Sequence, residues 1–261
     1  MILTIDVGNS NITLGGFEGE SLVFVARVAS DPKKTEDEYA AVIQGVFSIH
    51  GVERASVDGV IISSVVPPLN SVIKKATAFL FGTEAMLVGP GIKTGLNIHC
   101  DDPSSVGADL ICASVAAKAA YGAPALVVDM GTATKMMVID ARGAFIGVSI
   151  MPGVNMGLDA LSDGTAQLPK VSLEAPSRVI GKNTVDCIKS GVLYGHASMI
   201  DGMIDRIRAE LGAPLPVYAT GGYASLVVPH CTHDIKIDEH LVTRGLNIIY
   251  SRRKPNSYGF V

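Results

Sequence analysis

An apolar run that ends in Asp, one further residue and Gly occurs twice in this chain. The first copy, residues 2–11, reads Ile-Leu-Thr-Ile-Asp-Val-Gly-Asn-Ser-Asn, and the second, residues 126–134, reads Leu-Val-Val-Asp-Met-Gly-Thr-Ala-Thr. Each copy predicts a strand that runs into a tight turn, because β-branched residues favour strands and glycine permits backbone geometry that other residues resist. Asp6 and Asp129 are separated by nearly half of the 261 residues. The repeat therefore predicts a duplicated architecture.

The composition is that of a compact, loop-rich α/β protein. Hydrophobic residues make up 48% of the chain and charged residues 18%, and there are 28 glycines. The formal net charge of −4 argues against a large surface for binding nucleic acid. We see no signal peptide and no apolar run of about 20 residues, and the four cysteines form no Cys-x-x-Cys pair. We therefore expect a cytoplasmic protein without a membrane partner.

The pattern of elements predicts two domains, residues 1–122 and residues 123–261. The first begins with three strands, and a similar set of three strands restarts after Pro124. Asp102-Pro103 predicts the start of a helix that continues through Asp109 to about Tyr121. Asn183-Thr184 predicts the capped start of a long helix. Amphipathic spacing over residues 239–252 predicts a final helix, which we place in the second domain.

Three features could carry chemistry. The carboxylate of Asp6, followed by turn amides and short polar side chains, could hold phosphate oxygens and a hydrated Mg²⁺, and its recurrence at Asp129 favours this over an ordinary turn. Gly221-Gly222 follows a strand and could admit a flat ligand such as adenine, or form a simple tight turn. Asp109 could act as a general base or complement a helix dipole, and its local sequence alone favours the dipole.

Six segments resemble, in order and spacing, the motifs of the type III pantothenate kinases. The resemblance covers almost the whole chain, out to Arg244-Gly245-Leu246, and six ordered motifs are far more specific than any one of them. The segments are Asp6–Ile12, Gly107-Ala108-Asp109, Asp129–Thr134, Met151-Pro152-Gly153, Gly181-Lys182-Asn183-Thr184 and Ala219-Thr220-Gly221-Gly222.

This resemblance implies the actin-like α/β fold of the acetate and sugar kinases, with two ribonuclease H-like domains around a nucleotide cleft. It implies transfer of the γ-phosphoryl group of ATP to pantothenate, the first step of coenzyme A synthesis, by a cytoplasmic homodimer. The implied cofactors are Mg²⁺ and a monovalent cation, K⁺ or NH₄⁺.

The resemblance also implies roles by position. Asp109 becomes the general base, Asp129 the ligand of the monovalent cation, and Asp6 a partner of Mg²⁺ through phosphate or water. The implied ATP contacts are Asp6, Val7, Gly8, Asn9, Ser10, Asn11, Ile12, Thr13, Thr132, Gly221 and Gly222. The implied pantothenate contacts are Cys100, Gly107, Ala108, Asp109, Leu110 and Thr184.

Three positions depart from the family pattern. Leu110 stands where the family has arginine, Cys100 where it usually has tyrosine, and Lys135 where the second turn usually continues with threonine. Leucine cannot replace the charge or the hydrogen bonds of a guanidinium. In one interpretation other groups compensate, for instance Lys135 as the positive charge. In the other, the chain is a kinase or phosphohydrolase with another acceptor, or a nucleotide-binding regulatory protein with weakened catalysis.

The chain also carries a run of basic residues at 252–254, Arg-Arg-Lys, which predicts a solvated surface segment.

Overall fold

The computed structural model describes residues 1–252, and of the basic run only Arg252 lies within them. The chain divides into two compact units. The first consists of Met1–Ala120 together with the chain from Leu241 to the end of the described residues, and the second is Tyr121–His240. This division differs from the predicted boundary, because the final helix belongs to the first unit and not to the second.

The first unit contains a five-stranded mixed sheet in the order β3-β2-β1-β4-β5. Strands β1 to β3 are antiparallel neighbours, whereas β1, β4 and β5 run parallel. The elements are β1 (Ile2–Val7), β2 (Asn11–Glu18), β3 (Ser21–Ala29), α1 (Glu36–Ile49), β4 (Gly59–Ser64), α2 (Pro67–Phe81), β5 (Met86–Leu87), β6 (Asn97–Ile98) and α3 (Ala108–Tyr121).

The second unit repeats this order with its own strands, β9-β8-β7-β10-β11. Again three antiparallel strands lie on one side of the sheet and parallel strands on the other. The elements are β7 (Ala125–Met130), β8 (Ala133–Ile139), β9 (Ala144–Pro152), α4 (Val154–Asp163), α5 (Thr184–Leu211), β10 (Val217–Thr220), α6 (Ala224–Val227) and β11 (Ile235–Ile237). The sequence patterns did not predict α6.

The final helix, α7 (Leu241–Ser251), packs on β1 and β4. Its side chains Leu241, Leu246 and Ile249 are fully buried. Gly245 lies so close to the backbone of Cys112 on α3 that an added Cβ would overlap it. The helix therefore belongs to the first unit, because its apolar face packs on the strands of that unit.

The helix predicted from Asp102 is two separate elements. The Asp102 side chain accepts a hydrogen bond from the Ser104 amide at 3.0 Å and begins a short 3₁₀ turn, Pro103–Ser105. Val106 is then extended, and α3 begins at Ala108. Consequently Asp109 lies in the first turn of α3, where its backbone position is fixed by the helix start. Within residues 1–252, no helix has the length and apolar character needed to cross a membrane.

Candidate active site

The first Asp-x-Gly turn connects β1 to β2. The Gly8 amide donates to the Asn11 carbonyl at 3.0 Å, and a Cβ added to Gly8 would lie 3.0 Å from that same oxygen. Gly8 is not among the described glycines with positive φ, so close approach of the backbone accounts for glycine here. The side chains at the turn, Asn9, Ser10 and Asn11, are exposed.

Asp6 lies at the centre of a row of oxygen-bearing side chains across three strands. Its neighbour on β2 is Thr13, and its neighbour on β4 is Ser63. Paired residues on adjacent strands project to the same face of a sheet. Ser63 is fully buried, and its hydroxyl has no hydrogen-bond partner among the described residues. Thr13, Asp6 and Ser63 thus form what we call the first row.

Val7 and Ile12, both implied as ATP contacts, have side chains packed in the core of the first unit. A ligand could therefore meet these two residues only through their backbone groups.

Asp109 is the second residue of α3 and is only 8% exposed. A Cβ on Gly107 would lie 2.6 Å from Asp109 Oδ1, so the absence of a side chain at residue 107 leaves room for this carboxylate. Burial raises the pKa of the Cys112 thiol well above its usual value, and the charges of Asp6 and Asp109 raise it further. Both carboxylates are therefore within electrostatic range of the same buried thiol, and all three residues belong to the first unit.

The position of Asp109 also suits the helix-dipole interpretation, since a carboxylate in the first turn is stabilised by the helix N-terminus. Its neighbours Ala108 and Leu110 are buried. Cys100 is half-buried, and burial, assisted by Asp101, raises the pKa of its thiol. This thiol is therefore less readily ionised than a free cysteine.

The second Asp-x-Gly turn connects β7 to β8 in the same way. The Gly131 amide donates to the Ala133 carbonyl at 3.2 Å, and Thr132 is exposed. Here Asp129 is flanked by Lys135 on β8 and by Thr220 on β10. Lys135, Asp129 and Thr220 form the second row.

Lys135 Nζ makes an ion pair with Asp129 Oδ2 at 2.9 Å. The two side chains are 18% and 13% exposed, so the pair is largely shielded from water.

Two of the other glycine motifs of the second unit pack against this turn. Gly221 has φ of +91°, and a Cβ there would lie 2.6 Å from Asp129 Oδ1 and from the Met130 carbonyl. The Tyr223 amide donates to the same Met130 carbonyl at 3.1 Å. A Cβ on Gly153 would lie 2.6 Å from the Gly131 carbonyl. Gly221 and Gly153 are therefore required by packing, whereas Gly222 is exposed.

Thr184 is exposed at the first position of α5. The preceding Asn183 caps this helix, as predicted, by accepting a hydrogen bond from the Asp186 amide at 2.9 Å.

The first row contains oxygen ligands that fit a hydrated Mg²⁺. Mg²⁺ is usually held by one or two carboxylates, water and substrate phosphates, and Asp6 with two neighbouring hydroxyls matches that chemistry. No cluster of three or more His, Cys, Asp or Glu side chains suited to a metal occurs in residues 1–252, so a tightly ligated all-protein metal site is absent from that range.

The second row does not fit a soluble monovalent cation, because its carboxylate is already paired with a lysine. The Asp129 oxygen already holds the Lys135 ammonium at 2.9 Å. Two unit positive charges about 4 Å apart repel each other by about 4 kcal/mol at an effective dielectric constant of about 20. An added cation on Asp129 would have to displace the lysine or overcome this repulsion.

Sequence reasoning did not identify Ser63 and Thr220, which belong to the two rows, or His196, which contacts the second turn. Ser63 is the next-to-last residue of β4 and Thr220 is the last residue of β10, and their position as polar residues at the ends of apolar strands was the available signal. His196 on α5 is buried and makes a 2.8 Å hydrogen bond with Thr134, next to the second turn. A histidine 62 residues away along the chain carries no local signal for that contact.

Solved structures of low sequence identity share the overall fold. A Baf family transcriptional activator from Campylobacter jejuni matches 96% of this chain and 98% of its own with a TM-score of 0.60 at 19% identity. The activator of 2-hydroxyisocaproyl-CoA dehydratase from Clostridium difficile, with bound ADPNP, matches 99% of both chains with a TM-score of 0.58 at 11% identity. These matches agree with the actin-like α/β fold of two ribonuclease H-like domains.

Curated sequences are much more similar. A type III pantothenate kinase from Myxococcus xanthus is 43% identical over 252 residues, 97% of this chain and 98% of the relative. One from Moorella thermoacetica is 42% identical over 97% of this chain and 99% of the relative. The family model described as type III pantothenate kinase matches residues 2–206. Given this similarity over nearly its full length, the chain belongs to the type III pantothenate kinase family of phosphotransferases.

Proposed function

We propose that this protein transfers the γ-phosphoryl group of ATP to the hydroxyl of pantothenate, giving 4′-phosphopantothenate in the first step of coenzyme A synthesis. The observation that carries the proposal is that one compact unit holds both Asp6, at the first Asp-x-Gly turn, and Asp109, nearly buried in the first turn of α3. A kinase needs a phosphate-side carboxylate close to the group that receives the proton of the acceptor. Family membership supports pantothenate as that acceptor.

In this proposal Asp109 accepts the proton of the attacking hydroxyl. The carboxylate is nearly buried and is held in the first turn of α3, which fixes its direction. Gly107, which has no side chain, leaves the space that Asp109 Oδ1 occupies. A base held in one geometry increases the rate, since orientation is then established before the reaction.

The first turn, from Asp6 to Thr13, binds the phosphates of ATP in this proposal. Exposed polar side chains at residues 9–11 and the carboxylate of Asp6 supply hydrogen-bond donors and a partner for Mg²⁺. When bound, Mg²⁺ neutralises charge on the transferring phosphates. Thr132, Gly221 and Gly222 complete the nucleotide contacts, and the ADPNP bound to the structurally similar Clostridium difficile activator supports nucleotide binding by this fold.

We further propose, as the family resemblance implies, a homodimer in the cytoplasm. Exposed apolar side chains of the second unit, such as Ile150 and Ile180, support an interface between copies. Light scattering on the purified protein should give twice the mass of one chain, and a monomer at micromolar concentration would contradict the dimer.

Leu110 supports a second candidate, a kinase of the same fold with another acceptor. Its side chain is apolar and 5% exposed, where the family pattern has a guanidinium. A regulatory protein that binds nucleotide without turnover is the non-enzyme form of this alternative.

One assay separates these functions. ADP release is measured with Mg-ATP, with and without pantothenate, on purified protein. Pantothenate-dependent release supports the proposed kinase, and its absence rejects it. Nucleotide binding with no turnover on any acceptor indicates the regulatory protein, and Leu110→Arg restoring release identifies the lost guanidinium as the cause.

Two variants test the base. Asp109→Asn should lower kcat by about 10²- to 10⁴-fold, the usual contribution of a general base, while nucleotide binding persists. Gly107→Ala should displace the Asp109 carboxylate and lower kcat by about 10-fold or more at nearly unchanged stability. Gly45→Ala is the matched control, because a Cβ at this glycine of α1 meets no atom within 4 Å. Unchanged kcat in Asp109→Asn would reject the assignment.

A further inference from the structure

The second row contains a positive charge of its own. Lys135 Nζ lies 2.9 Å from Asp129 Oδ2, and both side chains are less than one-fifth exposed. An ammonium ion and K⁺ carry the same charge, and a lysine ammonium presents that charge at the end of a flexible four-carbon stem. Asp129 is the carboxylate for which the family resemblance implies a monovalent cation. In this structure the Lys135 ammonium, a cation that is part of the chain, is paired with it.

The two units provide an internal comparison for this position. The strand neighbour of Asp6 on the antiparallel side is Thr13, whereas the strand neighbour of Asp129 on that side is Lys135. On the parallel side both aspartates have a hydroxyl neighbour, Ser63 in one unit and Thr220 in the other. Lysine thus replaces a small hydroxyl residue at one position of an otherwise matching row.

The surroundings of the pair limit where Lys135 and Asp129 can move. On the Oδ1 side of Asp129, Gly221 approaches so closely that even a methyl group there would lie 2.6 Å from the oxygen. The neighbouring Thr134 is fully buried and hydrogen-bonded to His196. The carboxylate is therefore held in place, and a soluble cation could reach its Oδ2 only by displacing the lysine.

We propose that the Lys135 ammonium takes the place of the soluble monovalent cation, so that nucleotide binding and phosphoryl transfer by this protein need neither K⁺ nor NH₄⁺. The kinetic half of this inference rests on the proposed function, whereas the nucleotide-binding half does not. A tethered cation also remains at the second turn at any external salt concentration.

The experiment uses the full chain in buffers whose only cations are tetramethylammonium and Mg²⁺, with K⁺ then added. Wild-type ADP release and ADPNP affinity should change by less than about twofold on addition of K⁺, since a site already occupied gains no binding free energy from a second cation. A K⁺ stimulation of the wild type above about tenfold, which is the size of a strong coupling between two ligands, would overturn the proposal.

Lys135→Thr places in the second row the residue type that Thr13 provides at the matching position of the first row. This variant should lose about tenfold or more in ADPNP affinity without K⁺ and regain it when K⁺ is added, the signature of coupled binding. Lys135→Met, which fills the space without a charge or an oxygen ligand, should stay weak in both buffers. Folded Lys135→Thr protein that K⁺ does not restore would contradict the proposal.

Lys75→Thr is the matched control, because it removes a lysine from an exposed ion pair, the 3.2 Å contact with Glu36. It should behave as the wild type in every buffer. Thermal unfolding supplies a readout that needs no acceptor: added K⁺ should raise the midpoint for Lys135→Thr and leave the wild-type midpoint unchanged. If Lys135→Thr fails to fold, the wild-type measurement decides the question. Failure of pantothenate turnover alone rejects only the proposed function.

Discussion

The two Asp-x-Gly turns have similar backbone arrangements, but the residues that flank the two aspartates differ in charge. In both, the glycine amide closes the turn, and in both the aspartate lies between an antiparallel and a parallel strand. The flanking residues are Thr13 and Ser63 in the first row, but Lys135 and Thr220 in the second. The first carboxylate therefore lies between hydroxyl residues on the two adjacent strands, whereas the second is paired with a cation at 2.9 Å. A duplicated fold can thus give one residue type two different electrostatic roles.

The largest expected effect comes from removing each carboxylate in turn. Asp6→Asn should lower kcat by about 10²- to 10³-fold, the range for losing one preorganised electrostatic group, with little change in stability. Asp129→Asn should instead lower the free energy of unfolding by about 1–3 kcal/mol, because it leaves a largely buried ammonium without its counter-charge. Steady-state kinetics and urea unfolding of both variants measure the difference. Equal losses in both assays would contradict the asymmetry.

The next effect tests how tightly the second turn is packed. Gly221→Ala should destabilise the protein by about 2–3 kcal/mol, because alanine at φ of +91° is strained and its Cβ meets Asp129 and Met130.

Gly212→Ala is its matched control. That glycine also has positive φ, +63°, but a Cβ there meets no atom within 4 Å. The substitution should destabilise the protein by about 1 kcal/mol, the cost of the backbone conformation alone. Similar urea midpoints for the two variants would show that the packing of Gly221 on the turn adds nothing.

A smaller effect concerns the buried hydrogen bond that supports the second turn from α5. Thr134→Val should lower the free energy of unfolding by about 1–2 kcal/mol, since the His196 ring loses its partner in a buried place. Thr165→Val removes two exposed hydrogen bonds, one donated to the Leu161 carbonyl at 2.7 Å and one accepted from the Leu168 amide at 3.3 Å. This control should change the free energy of unfolding by less than about 0.5 kcal/mol. Urea unfolding compares the two, and equal changes would argue against a supporting role for Thr134.

The smallest effect is a pH dependence of the second unit. Burial lowers the pKa of His196 from its usual value of 6.5. The unfolded chain then binds more protons than the folded chain between the lowered pKa and 6.5. Stability should therefore fall as pH drops through 6.5 and level off below the folded-state pKa. His196→Gln should flatten this part of the profile, whereas a change at the exposed His99 to Gln should not; a profile unchanged by His196→Gln would refute the assignment.

Local patterns predicted the elements that depend on neighbouring residues. The strands before both Asp-x-Gly turns and the Asn183 cap of α5 follow from β-branched runs and from a side chain that reaches an amide three residues on. The start of α3 was predicted too early, because Asp102-Pro103 caps a 3₁₀ turn as readily as a longer helix. The short helix α6 has too few residues for a clear periodicity.

The candidate site was also predicted only in part. Motif order named Asp6, Asp109 and Asp129, but not that Asp6 and Asp109 lie within electrostatic range of one thiol, nor that Ser63 and Thr220 flank the two aspartates. Those neighbours come from strands distant in sequence, and their pairing depends on sheet register.

By itself, the sequence determined the duplication, because the Asp-x-Gly turn and its strands recur. It also identified the family, because the motifs stand in a fixed order, and the resemblance to that family implied the actin-like fold. Tertiary structure alone decided that α7 completes the first unit, since an apolar helix face is stable only where another element covers it. It also decided that Lys135 pairs with Asp129. The two residues are six positions apart in the sequence. Lys135 Nζ lies 2.9 Å from Asp129 Oδ2 because the register of β7 and β8 makes the two residues strand neighbours.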